Sequence, residues 1–209
     1  NVVIPSSKDN QMIKKFKTFF DEKEIHNICK EHSIKKYYIN KDGTIDVSGN
    51  VKISSSKIPL RFNRVSGNFN CSYNNLTSLN GSPTEVGGNF NCEHNNLINL
   101  SGGPKTINGD FICCNNRLET LYESPVYVGG NYFCYINNLT TLKDAPKEVG
   151  GLFYCSNNPL PDLINQNIKY VNDIIKYQDD YSIWNNDSTL NEYRFKDMMV
   201  EVIAEYNKY

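Results

Sequence analysis

The sequence predicts an α+β solenoid with one short parallel strand per coil, a helical N-terminal cap and a helical C-terminal region. Three observations predict it. A 21-residue unit recurs without insertion from Val65 to Leu163, six of its columns hold one residue type throughout, and helical apolar spacing flanks it on both sides. The units read VSGNFNCSYNNLTSLNGSPTE, VGGNFNCEHNNLINLSGGPKT, INGDFICCNNRLETLYESPVY, VGGNYFCYINNLTTLKDAPKE and the shorter VGGLFYCSNNPLPDL. Gly67, Cys71, Asn74, Leu76 and Leu79 recur at every step up to Gly151, Cys155, Asn158, Leu160 and Leu163, and Pro83 recurs in each complete copy. Self-similarity at a fixed period marks units that bury their apolar faces only against their neighbours.

Such a stack exposes apolar core at both ends and needs caps. In residues 1–43, Met12, Ile13, Phe16, Phe19 and Phe20 follow amphipathic helical spacing, and Asp21-x-x-Glu24 resembles a capping box that opens a second helix through Ile25, Ile28 and Cys29. Residues 44–64 form a degenerate first coil, since Val47-Ser-Gly-Asn-Val51-Lys-Ile53 repeats the start of a unit but the next unit begins three residues early.

Within residues 65–163, the aromatic at 69, 90, 111, 132 or 153 and the Cys two residues later share the inward side of a strand, whose side chains alternate. The Asn three residues after each Cys can stack into a ladder that bonds the turning backbone, and the two Leu that follow fit a turn of 3₁₀ or irregular helix. Beyond Leu163, Ile168, Val171, Ile174 and Ile175 mark one helix of the 164–209 region. Phe195, Met198, Met199, Val202, Ile203 and Tyr206 mark another, and the polar segment around Trp184 separates them.

Composition excludes several function classes. The formal charge of −1 creates no field for nucleic acid or an anionic membrane, and neither is expected as a partner. No apolar run approaches the ~20 residues of a membrane span, and the first residues lack the pattern of a signal peptide, so a cytoplasmic protein is expected.

The pattern Phe90-x-Cys92-x-x-Asn95-x-Leu97 and its equivalents resembles the leucine-rich repeat family, although Val86 lies four residues before Phe90 where that family has three, and Cys replaces the last strand Leu. More narrowly, V-G-G-x-F-x-C-x-x-N-x-L-T-x-L-x-x-x-P is similar to repeats encoded by bacteriophages, large viruses and some bacteria, and the run from Tyr37 to Asn50 fits the same group. The resemblance implies a binding scaffold with no shared chemistry. If it extends to a phage origin, the partner is a bacterial host protein in the host cytoplasm, inhibition of a defence factor being one form of action.

No catalytic, cofactor-binding or metal-binding residue emerges. The thiols of Cys71, Cys92, Cys113, Cys134 and Cys155 fall in one inward column about 4.8 Å apart, a straight line that neither converges on a metal nor pairs evenly into disulfides. Buried reduced thiols are expected. His26, Cys29 and His32 lack a fourth ligand, and His94 is expected on an outward strand position. Asn75, Asn80, Asn138 and Asn186 sit in glycosylation sequons, three of them in repeat turns that use Asn anyway. The V-G-G-N turns lack the helix and Lys of a phosphate loop.

The variable positions carry the functional expectation. Outward residues of coils one and two are mainly polar, whereas Ile112, Cys114, Phe133, Tyr135, Ile136, Leu152 and Tyr154 bring an apolar, aromatic cluster to the open side of coils three to five. Exposed apolar patches mark interaction sites, and aromatics dominate interface energetics. These seven residues are the expected partner-binding set. Two alternatives stay open: a virion or self-assembling homo-oligomer, and capture of a nucleotide or sugar. The C-terminal helices could instead fold over the cluster.

Overall fold

In a computed structural model of the chain, residues 22–208 are described. The aromatic column and the Val or Ile column each pull a two-residue stretch into extended backbone, so every coil contributes two strands where the sequence predicts one. The strands before the glycine corner are β4 (Phe62–Val65), β6 (Glu85–Val86), β8 (Thr106–Ile107), β10 (Tyr127–Val128) and β12 (Glu148–Val149). Those after it are β5 (Phe69–Asn70), β7 (Phe90–Asn91), β9 (Phe111–Ile112), β11 (Tyr132–Phe133) and β13 (Phe153–Tyr154). The short first coil supplies β2 (Ile45–Val47) and β3 (Val51–Lys52) in the same way. The result is a parallel β-solenoid of about five turns whose coils pair in register, Phe90 opposite Phe69 and Phe111, Val86 opposite Val65 and Ile107.

The two sheets bond in opposite directions. In the first, Gly87 N–H donates back to Val65 O (2.8 Å). In the second, Phe69 and Cys71 N–H donate forward to Asn89 O and Asn91 O (2.9 and 2.8 Å). At the corner between them, Asn68 Oδ1 accepts Asn89 N–H at 2.8 Å, and a Cβ at Gly88 would land on that same oxygen. The invariant glycine therefore records a close approach between coils.

Inside, Phe69, Phe90, Phe111, Tyr132 and Phe153 stack with ring centroids 4.7 to 5.8 Å apart, and the Tyr132 hydroxyl is met by Ser124 Oγ at 2.8 Å. The asparagine ladder forms as expected. Asn137 Oδ1 accepts Leu118 N–H of the preceding coil (2.9 Å), while its Nδ2 donates to Cys113 O and Cys134 O (3.1 and 3.0 Å). All seven cysteines are buried free thiols. In the first four coils the segment between the two Leu is a bend with no helix, whereas in the fifth a helix begins at Asp162, between Leu160 and Leu163.

At the N-terminal end, α1 (Glu22–Glu31) buries Ile25 and Cys29 one turn apart. The expected helix of Met12, Ile13, Phe16, Phe19 and Phe20, with Asp21 of the capping box, lies outside the described residues. β1 (Tyr37–Ile39) pairs antiparallel with β2 and closes that edge of the first sheet. The register shifts by one residue between Ile45 and Asp46, where the shorter first coil meets the full-length repeats.

At the other end come α2 (Asp162–Gln166), a 3₁₀ turn (Ile168–Tyr170), α3 (Val171–Tyr177) and α4 (Glu192–Tyr206). Ile174 and Ile175 pack with Phe195, Met198, Met199 and Val202 in the core, whereas Ile203 and Tyr206, which mark the same helix in the sequence, lie on the exposed side of α4. Asn191 caps α4 by accepting Arg194 N–H at 3.1 Å. Among the described residues no helix is long and apolar enough to cross a membrane.

Candidate functional site

The outer face of the second sheet gathers the predicted residues. β9, β11 and β13 place Ile112, Phe133 and Tyr154 in adjacent registers, since each follows an inward aromatic by one residue. The Phe133 and Tyr154 rings stack at 4.9 Å with their planes 4° apart, and Tyr135 meets Phe133 edge-on at 6.4 Å. Leu152, Ile136 and Tyr154 remain 55%, 45% and 40% exposed.

The C-terminal helices leave this face open. Asn172 on α3 donates Nδ2–H to Gly151 O (2.8 Å) and accepts Phe153 N–H at Oδ1 (3.1 Å), so α3 sits over the end of the last coil and continues its corner hydrogen bonding. Leu152 takes the place that Asn68, Asn89, Asp110 and Asn131 hold in earlier coils, and the corner ladder passes to the cap there.

One predicted contact residue is corrected. Cys114 has no exposed surface. Its thiol points at Glu93 Oε2 (3.6 Å) and forms a hydrogen bond with the Tyr135 hydroxyl, so Tyr135 and Glu93 close over it. Burial pushes the Cys114 thiol pKa up. The bond to Cys114 is the main cause that pushes the Tyr135 phenol to about 12, with desolvation and the nearby Glu93 carboxylate adding to it. Cys114 thus supports the face from beneath.

A second correction concerns His94, expected on an outward strand position, together with Tyr73, Asn115, Ile136 and Asn157, which hold the same place in the other coils. All five are left-handed, with φ between 50° and 59°, because the strand has already ended and the chain turns here. Asn tolerates this region, whereas β-branched Ile136 at φ 53° is strained. The turn brings His94 onto Tyr73, stacked at 4.3 Å and 15°, an aromatic pair that strand alternation does not reveal. The asparagines at 115 and 157 were the available signal for it.

The other chemical candidates dissolve into structure. Cys29 is buried with its pKa raised by desolvation, and His26 Nδ1 is bonded to the Tyr37 hydroxyl. Among the described residues no group of three or more His, Cys, Asp or Glu could hold a metal ion. Desolvation likewise raises the repeat thiols, Cys71 and Cys155 to about 12, so they stay protonated and unreactive near neutrality.

Comparison with protein-family models, with curated protein sequences and with solved structures gives no match.

Proposed function

We propose that the chain is a non-enzymatic protein–protein interaction module that binds its partner through the outer face of coils three to five. One observation carries this reading: Leu152, Ile136 and Tyr154 stay exposed beside the stacked Phe133 and Tyr154 rings, although nothing in the coil interior calls for apolar residues there. Strained backbone at Ile136 supports it, since strain that persists on an exposed surface clusters at functional sites. The resemblance of the repeats to bacteriophage-type leucine-rich repeats supports a bacterial host protein as the partner, a defence factor being one such target, and the host cytoplasm as the place of encounter.

Affinity capture from bacterial lysate tests the reading. Wild-type protein is expected to retain a partner that a Phe133→Asp, Tyr154→Asp variant with an unchanged melting profile does not. Equal capture by both proteins removes this face from consideration. A second reading, self-assembly through the C-terminal cap, is favoured by Tyr193 and Val200 on α4, 76% and 69% exposed. A monomeric mass in solution excludes it.

A further inference from the structure

The docking face is unusually free of positive charge. In each coil the stretch from corner to turn, residues 66–73, 87–94, 108–115, 129–136 and 150–157, contains no Lys or Arg, while other parts of these coils carry Lys105, Arg117, Lys143 and Lys147. Two carboxylates lie in those stretches. Asp110 is used internally, its Oδ1 accepting Asn131 N–H (2.7 Å) and Asn131 Nδ2–H (3.3 Å) of the corner ladder.

Glu93 is different. It is half-buried, and its oxygens accept only from neutral groups, Asn91 Nδ2 at 3.2 Å and the Cys114 thiol at 3.6 Å. Among the described residues no cation pairs with it. A partner that covers this face takes Glu93 further out of water, which is costly unless the partner brings a cation to it. The Tyr135 ring beside it offers a second attraction to the same charge.

Resting on the reading of this face as a docking surface, we propose that it takes a basic segment of its partner, with an arginine or lysine against Glu93 and Tyr135 and an apolar anchor against Phe133, Tyr154 and Leu152. Glu93 stands in coil two and Tyr154 in coil five, three coil spacings or about 14 Å apart along the stack. An extended segment covers that span in about four residues and a helix in about nine. The two anchors therefore have a defined spacing.

A displayed library of random dodecapeptides, selected on the full-length protein, tests this directly. Selected peptides are expected to carry an Arg or Lys about four residues from an apolar residue, or about nine if helical. By fluorescence anisotropy they should bind Glu93→Gln at least about threefold and Glu93→Lys at least about tenfold more weakly than wild type. The Phe133→Asp, Tyr154→Asp variant should not bind them. Peptides that lose binding to that variant yet bind both Glu93 variants normally overturn the basic-segment proposal and leave the docking face standing. Peptides indifferent to all three variants, or no enrichment at all, overturn both.

Discussion

Coil two (Val86–Thr106) and coil four (Val128–Glu148) fill their interiors almost identically and their outer faces in opposite ways. Inside, Phe90, Cys92, Asn95, Leu97 and Leu100 correspond to Tyr132, Cys134, Asn137, Leu139 and Leu142, all buried. Outside, Asn91, Glu93 and His94 correspond to Phe133, Tyr135 and Ile136. The polar set makes local contacts, Asn91 bonding Glu93 and His94 stacking on Tyr73. The apolar set exposes surface and holds Ile136 in a left-handed backbone that His94 shares at φ 50° with less strain, lacking a branched Cβ. Stability does not ask for coil four's exterior, and that is the reason to connect it with binding.

The sharpest way to break the comparison is to truncate one ring on each side of a strand. Phe90→Ala removes a fully buried member of the aromatic stack and is expected to cost about 3–5 kcal/mol in chemical denaturation. Phe133→Ala should cost under about 1.5 kcal/mol, because its ring packs only against surface neighbours. Similar losses for both would mean that the outer face is part of the core.

Asn137→Ala comes next. It strands Leu118 N–H and withdraws a donor from Cys113 O and Cys134 O, for an expected loss of about 3 kcal/mol. A loss that small surface changes also produce would deny the ladder its role.

The thiol column adds a dependence on pH. The folded pKa values of Cys71 and Cys155 lie near 12 against an ordinary 9.0, so the folded state favours the protonated thiol. Their contribution is complete below pH 9 and is lost as pH rises toward 12. A melting temperature that rises between pH 9 and pH 11 would contradict this sign. Below that range a thiol reagent should find all seven cysteines unreactive until denaturant is added.

The smallest change acts on strain alone. Ile136→Asn places a residue that tolerates the left-handed region where Asn115 and Asn157 already stand, and it should stabilise the fold by about 1 kcal/mol while weakening partner binding. Destabilisation would show that the Ile136 side chain packs more productively than its 45% exposure implies.

Much of this was legible in the chain. The inward aromatic and Cys columns, the Asn ladder and the outward side of Phe133 and Tyr154 follow from alternation and repetition. The second strand was not, because two residues such as Glu85–Val86 are too few to show a period. Cys114 was placed on the open side by the same alternation that places Phe133 there, and alternation says nothing about Tyr135 folding back over it.

By itself, then, the sequence determined which side of each coil faces the core, since a column repeated every 21 residues sees the same surroundings each time. Only the tertiary structure decided which outward residues reach water. That depends on how far a side chain from one coil leans across the next, as Tyr135 does over Cys114, and on where the end cap sits, as Asn172 does beyond Gly151. Both are contacts between residues of different columns, which no single column records.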